Sequence, residues 1–485
     1  MKNDITPQVW QYFDEICKIP RPSKKEEKIC AYIRQFADEH QLSYKQDKVG
    51  NIVIFKPASH GNEDKTTVIL QGHVDMVCEK NSDVAHDFET DPIENYPDGE
   101  WMKARGTTLG ADNGIGVAAI LAVLASNEIA HGPIEALFTV DEETGLTGAN
   151  ALQTGFLTGK ILINLDSDKE DELLIGCAGG INIVATLDFE QNEIPPNSMA
   201  YKLNVAGLKG GHSGEDINKR RGNAIKILNQ LLLNCSGMYG MSIYKFEGGN
   251  LHNAIPREAS ATIVIDKIYR NDFEQYCNTE AQMWKDALIS TSPDFYFTIE
   301  PCELPPNIMD IVNQSCLLNA LTTCPSGVIA MSENVHGLVS TSNNLAAVKF
   351  TGQNNVSIVN SQRSDCEEHK ASINKRICGI FEMIGAMVKC SDGYPGWTPN
   401  PKSPILKTVK LAYRNLYGSD PVVKAIHAGL ECGLFLKKYP DLDMISFGPT
   451  IKDAHSPNER LNIPSVTVFS KLLVKVLDEL RKNEI

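Results

Sequence analysis

Three apolar runs in the first third of this chain each stop at residues able to bind a cation or move a proton. Thr67–Leu70 leads through Gln71 and Gly72 to His73, with Asp75 two residues on. Ile134–Val140 ends at Asp141-Glu142-Glu143-Thr144-Gly145, and Lys160–Leu165 ends at Asp166-Ser167-Asp168. A strong apolar helix pattern, Val117–Ala125, lies between the first two, and a shorter one between the second and third. Strand, helix, strand, helix, with polar residues at each strand's carboxyl end, predicts a mostly parallel α/β sheet. Such sheets bind ligands beyond the carboxyl ends of their strands. Positions i and i+2 of an extended segment point the same way. Asp75 can therefore hold the ring of a liganding His73 and fix its tautomer.

The rest of the chain is organised around that sheet. Helices are expected at 7–19 and 24–40, the second with Ser23 as N-cap and Glu26 three residues on. A strand pair is expected at 43–56, and a long polar excursion with little regular structure at 78–107. From about 185 the texture changes to alternating, antiparallel-type strands such as Ala200–Val205 and Ala259–Ile265, with further strands at 345–349 and 355–360. Helical patterns sit at 222–234, 270–289 and 367–389. Near 390 the first texture returns, with a helix at 403–417, a strand at 442–447 and a final helix at 464–483. The expected organisation is a catalytic domain in two pieces, 1–185 and 389–485, interrupted by an inserted α+β domain, 186–388.

The glycines of Gly106-Thr107-Thr108-Leu109-Gly110-Ala111-Asp112-Asn113-Gly114-Ile115-Gly116 have the wrong spacing for a dinucleotide loop, and no P-loop Lys-Ser/Thr follows. Glycine also lets a backbone wrap closely around one side chain, here Asp112. His73, Asp112, Glu143 and Asp166 are joined by His455, just past the late strand. Each has an ordinary reading: a solvated turn for Glu142-Glu143, a helix N-cap for Asp166, a loop histidine for His455. All of them together beyond one sheet edge are harder to explain so. Two imidazoles and three carboxylates suit two zinc-like ions sharing one carboxylate. A shared carboxylate sets the ions about 3.5–4 Å apart, close enough to act on one water and one carbonyl. Glu142 adjoins a ligand without being needed as one, and is placed to take a proton and return it to a leaving amine.

Composition narrows the partners. With 46 basic and 61 acidic residues, the net charge of −15 argues against nucleic acid or an anionic membrane as partner. Thirteen scattered cysteines without a Cys-x-x-Cys pair fit a reducing compartment. Met1–Thr6 is polar, no signal core follows, and no run approaches the ~20 residues of a membrane span. A cytoplasmic protein is the expectation.

His73-x-Asp75, Gly110-Ala111-Asp112-Asn113-Gly114, Glu142-Glu143-Thr144-Gly145, Asp166 and His455 together resemble the dinuclear zinc peptidases that include aminoacylase and carnosinase. Longer strings extend the likeness over almost the whole chain: Lys103–Gly114, Gly176-Cys177-Ala178-Gly179-Gly180, Gly210-Gly211-His212-Ser213-Gly214, Asn253–Glu258, Tyr394-Pro395-Gly396-Trp397, His427–Gly433 and Gly448-Pro449-Thr450. They are similar to the bacterial branch that cleaves unblocked dipeptides ending in histidine. The resemblance implies that His73 and Asp166 hold one zinc, Glu143 and His455 the other, and that Asp112 bridges them, with manganese or cobalt as substitutes. Asp75 would orient His73, and Glu142 would be the general base. The Asp112–Asn113 bond would be cis. The inserted domain would be a lid. There His212 would stabilise the oxyanion, although Gly-Gly-His-Ser-Gly alone reads as a plain turn, and Asn253 and Arg363 would contact substrate. Arg363 suits a terminal carboxylate because it binds bidentately. Glu431 would meet the substrate's free amino group.

The implied activity is metal-dependent hydrolysis of unblocked dipeptides, preferentially Xaa-His including β-alanyl-histidine, in cytoplasmic peptide catabolism. The alternative on the same fold is an N-acyl amino acid deacylase or a broader di/tripeptidase. A non-catalytic peptide-binding or metal-storage protein would not need both Asp75 and Glu142. The resemblance also implies a homodimer through the lid. The preferred N-terminal residue and the physiological metal are not written in these motifs.

Overall fold

The computed structural model describes residues 4–333, 335, 337–352 and 354–482. The chain forms two compact units. The first comprises Met1–Gly176, Pro399–Ala425 and Leu430–Ile485; the second comprises Cys177–Thr398 and Ile426–Gly429. The fold is α/β, with a mixed, mostly parallel sheet in the first unit and an antiparallel sheet in the second.

The eight-stranded sheet of the first unit is ordered Ser43–Gln46, Ile52–Lys56, Ile134–Thr139, Val68–His73, Ile161–Asn164, Asp443–Ser446, Glu172–Cys177, Val422–Ile426. Its four middle strands run parallel. Val68–His73, Ile134–Thr139 and Ile161–Asn164 are buried along their whole length, which explains their mostly apolar reading. The helix Ala111–Ala125 is apolar on nearly every face and correspondingly buried. In register, His73 lies beside Thr139, and Gln71 beside Asn164. The residues that follow those strands therefore emerge at one end of the sheet.

The excursion 78–107 holds more structure than its polar sequence predicts. Asn95–Asp98 and Trp101–Ala104 form a hairpin, turning where Gly99 has φ +60°. Arg460–Asn462 pairs with this hairpin and, on its other edge, with Ile451–Lys452. Residues 453–459 are the loop of that second hairpin.

The second unit carries the antiparallel sheet Tyr296–Cys302, Ser198–Ala206, Ala259–Asp266, Ser242–Gly248, Val339–Thr351, Asn355–Ser364, Gly179–Asp188, Met387–Cys390, with Gly327–Met331 paired to Val339–Thr351. Its helices are Ala224–Tyr239, Arg270–Leu288, Ile311–Thr323 and Glu367–Glu382. The helix expected over 367–389 ends at Glu382; Gly385, at φ +82°, turns the chain into the edge strand Met387–Cys390. The final helix runs Ile463–Lys482, and residue 483 of the expected helix lies outside the described residues, as do Met1–Asn3 of the N-terminal stretch.

The Ser23 cap is not formed. The helix runs Glu27–Glu39 with Glu26 at the cap position, and Lys24 adopts φ +67°. Ser23 is drawn away by a stronger partner, the buried Asp75 carboxylate, to which its Oγ donates at 2.7 Å. All 13 cysteines are free, and no helix among the described residues is long and apolar enough to cross a membrane.

Candidate metal centre

Three segments at the carboxyl end of the first unit's sheet, the kinked start of the helix Ala111–Ala125 at Asp112 and Asn113, and the 453–459 hairpin loop bring the candidate ligands together. His73 Nε2 lies 3.2 Å from Asp112 Oδ1 and 3.5 Å from Asp166 Oδ1. His455 Nε2 lies 3.2 Å from Asp112 Oδ2 and 3.1 Å from Glu143 Oε2. The two oxygens of Asp112 thus face two different imidazoles, the arrangement a bridging carboxylate requires. His73–Asp112–Asp166 and Asp112–Glu143–His455 each offer ligand atoms within 4.8 Å of one another, as does His73–Glu142–Glu143.

A further acidic group, Glu26–Asp75–Asp141, is of a different kind. Its oxygens accept from the backbone N–H groups of Lys24, Asp141, Glu142 and Glu143 and from the hydroxyls of Ser23, Thr144 and Thr147. These acids cap the turns that present the ligands. Asp75 Oδ1 is 3.3 Å from His73 Nδ1.

The backbone is shaped for the site. The Asp112–Asn113 bond is cis, as the resemblance implied. Asn113 Nδ2 donates to Leu165 O at 2.7 Å, tying the loop to the residue before Asp166. Asp141, just before Glu142, has φ +49°, and His455 has φ +63°. Non-glycine residues in the left-handed region are costly and gather where function fixes geometry.

The electrostatics are those of crowded anions and two imidazoles. Burial, together with the charge of Asp112, pushes the Asp166 carboxyl up to about 7. Burial likewise drives Glu142 well above the ordinary carboxylate range, with Asp166, Glu431 and Glu143 adding to it. Hydrogen bonds to Asp112 and then Glu143 raise His455 to about 11. Burial opposes the charge on Asp75, but hydrogen bonding and attraction to His73 outweigh it and hold Asp75 at about 2. Divalent cations fit this donor set: the oxygens and imidazole nitrogens match zinc-type chemistry, and Glu143 Oε1 is buried without a hydrogen-bond partner.

Glu431, expected to meet a substrate amine, is fully buried at the start of the helix Glu431–Lys438. Its Oε2 accepts from Gln71 Nε2 at 2.6 Å and Thr139 Oγ1 at 2.8 Å, and Asn164 Nδ2 donates to Gln71 Oε1 at 2.6 Å. Gln71, Asn164 and Thr139 lie two or three residues before His73, Asp166 and Glu142. Reading the sequence missed this ladder, along with Ser23, Arg21 and Glu459. A polar residue two places before a ligand, inside an otherwise apolar strand, was the available signal for Gln71 and Asn164.

In the second unit, His212, Asn253 and Arg363 come from three distant segments. The backbone of Ser213 donates to Asn253 O at 2.8 Å, and His212 bridges Ala254. Arg363, on the strand Asn355–Ser364, donates to Tyr394 Oη at 2.8 Å, and its Nη2 lies 3.4 Å from His212 Nε2. Burial and then the Arg363 charge lower the pKa of His212 and take His427 down to about 3. His427 Nε2 is 2.7 Å from Ser342 Oγ.

Residues 69–479 match the model of peptidase family M20/M25/M40. The cytosol non-specific dipeptidase of Escherichia coli (strain K12) is 41% identical over 479 residues, 99% of either chain. The crystal structure of aminoacylhistidine dipeptidase from Vibrio alginolyticus superposes with a TM-score of 0.90 at 43% identity, covering 97% of this chain and 96% of that one. Human carnosine dipeptidase 1, 13% identical, shares the fold with a TM-score of 0.51 over 99% of this chain and 97% of its own.

Proposed function

Because this chain belongs to peptidase family M20/M25/M40, we propose that it is a cytosolic dipeptidase that hydrolyses unblocked dipeptides, Xaa-His and β-alanyl-histidine among them. The observation that carries this reading is Asp112 facing His73 with one oxygen and His455 with the other, with Glu142 alongside. In this reading His73 and Asp166 would hold one zinc and Glu143 and His455 a second, with Asp112 available to both. Such a pair of cations would supply a water of lowered pKa and a Lewis acid for the scissile carbonyl. Glu142, pushed toward a proton-holding state by burial, takes the proton and delivers it to the departing amine. Asp75 keeps His73 oriented and holds the turn that carries Glu142. In the second unit, Arg363 is suited to a substrate carboxylate, and His212, its pKa lowered by burial and by the Arg363 charge, is suited to donate to an oxyanion, with Asn253 as a further contact.

The E. coli relative's name says non-specific and the Vibrio relative's name says aminoacylhistidine, so the breadth of substrates is part of the test. Metal-stripped protein would be assayed on β-alanyl-histidine, alanyl-histidine, alanyl-alanine and N-acetyl-histidine, before and after adding zinc, manganese or cobalt. Metal-restored cleavage of the free dipeptides alone is expected. Preferential cleavage of N-acetyl-histidine would make the protein a deacylase.

A further inference from the structure

The segment Leu109–Asp112 is gripped on both edges by buried charges. On one edge, the Glu459 carboxylate accepts four successive backbone N–H groups. Leu109 and Gly110 donate to Oε2 at 2.8 and 3.0 Å, and Ala111 and Asp112 donate to Oε1 at 2.8 and 3.3 Å. On the other edge, Arg21 Nη2 donates to Gly110 O at 2.5 Å, while its Nη1 donates to Val74 O and Asp75 O at 3.0 and 2.9 Å. Both side chains are 2% exposed, and neither makes an ion pair among the described residues. Buried charges are costly unless their hydrogen-bonding capacity is used. Here the backbone around Asp112 uses it.

The far ends of this grip are the neighbours of the two imidazoles. Val74 and Asp75 directly follow His73. Glu459 sits four residues past His455 on the same hairpin loop. The grip also accounts for two glycines of the loop. A Cβ at Gly110 or Gly114 would lie 2.5 or 2.7 Å from Arg21 Nη2, so only glycine lets the guanidinium approach.

We infer that Glu459, with Arg21 opposing it, is a positioning residue that fixes the Asp112 carboxylate between His73 and His455 and so sets the spacing of the two cations. This rests on the two-cation reading above. Without the four-fold grip the Asp112 oxygens would no longer be aimed at both imidazoles, and the shared site would loosen while the separate ligands remained.

The test is cobalt(II) titration, followed by visible absorption, of metal-stripped full-length protein, of Glu459→Gln and of Glu459→Asp. Gln turns an NH2 group toward backbone donors, and Asp keeps the charge but cannot reach all four. Wild type should take two equivalents. Both variants should stay folded without metal, melting lower because buried backbone donors lose their acceptor, but should bind the second equivalent about 10–100-fold more weakly, with an altered spectrum, as supporting residues of metal sites do. For β-alanyl-histidine at saturating metal, kcat should fall while KM changes little. A Glu459→Gln protein that binds both equivalents with wild-type affinity and spectrum would overturn the inference, as would failure of both variants to fold, which would mark a purely structural role. A wild type that binds fewer than two equivalents would instead sink the two-cation reading.

Discussion

Asp75 Oδ1 lies 3.3 Å from His73 Nδ1 and accepts the backbone N–H of Glu142 at 3.0 Å. One fully buried carboxylate therefore sets both the imidazole that faces Asp112 and Asp166 and the turn that presents Glu142 and Glu143. Asp75→Asn keeps the shape but points an NH2 group at donors. Metal affinity should drop about 10–100-fold, with kcat falling as well. Ser23→Ala removes a single donor to the same charged carboxylate and should cost about 1.5–3 kcal/mol of stability, with little effect on metal affinity. Equal effects from the two substitutions, by metal titration and melting, would show that Asp75 does not link the two halves of the site.

Glu142 is the acid whose role depends on chemistry and not on holding a cation. Glu142→Gln should lower kcat by about 10²–10⁴-fold, the range of a lost general base. Metal analysis should still find two ions per chain, because the Asp112-centred triads do not include Glu142. Near-normal turnover in the doubly loaded variant would remove the base assignment.

Most of what was legible in the sequence followed from one rule, that parallel strands deliver their next residues to the same end of a sheet. His73, Asp112, Glu143, Asp166 and His455 could be gathered because each follows a strand or a glycine turn. What stayed hidden acts across long separations. Ser23 read as a helix cap because a local pattern offered one; its actual partner, Asp75, is 52 residues away. Glu459 has no local signature, since its four donors lie about 350 residues earlier. The hairpin Asn95–Ala104 read as loop because its strands are only four residues each, the first is polar, and both are largely half-exposed or exposed. No hydrophobic alternation marked them.

Glu431 separates a support role from a substrate contact. Burial pushes its carboxyl up to about 8, so near neutral pH in metal-free protein it holds a proton, and Glu431→Gln replaces it closely. That variant should melt close to wild type. Glu431→Ala strands the Gln71 and Thr139 donors in a buried place and should cost about 1–3 kcal/mol for each. If Glu431 also receives the substrate's amine, Glu431→Gln should raise KM for free dipeptides relative to N-acetyl-histidine. An unchanged ratio leaves only the support role.

The charges of the centre fix how stability should respond to pH and metal. In metal-free protein Asp166 and Glu431 are raised by burial to about 7 and about 8 from 3.8 and 4.5. His455 is raised to about 11 from 6.5 by hydrogen bonds to Asp112 and Glu143. Each raised group binds its proton more tightly folded than unfolded. Its contribution is therefore full below the unfolded value and is lost as pH rises through the folded one. Asp75, held at about 2, has the opposite sign, but its contribution is lost only as pH falls from 3.8 toward 2. His427, lowered to about 3 from 6.5, opposes this only below about pH 6.5, so between about pH 6.5 and pH 9 the metal-free protein should grow less stable as pH rises. Cation binding needs Asp166 and His455 unprotonated, so its stabilisation grows over that interval. Melting curves with chelator and with zinc should diverge steadily as pH is raised. Curves that stay parallel, or converge, would mean that these residues do not hold the metal.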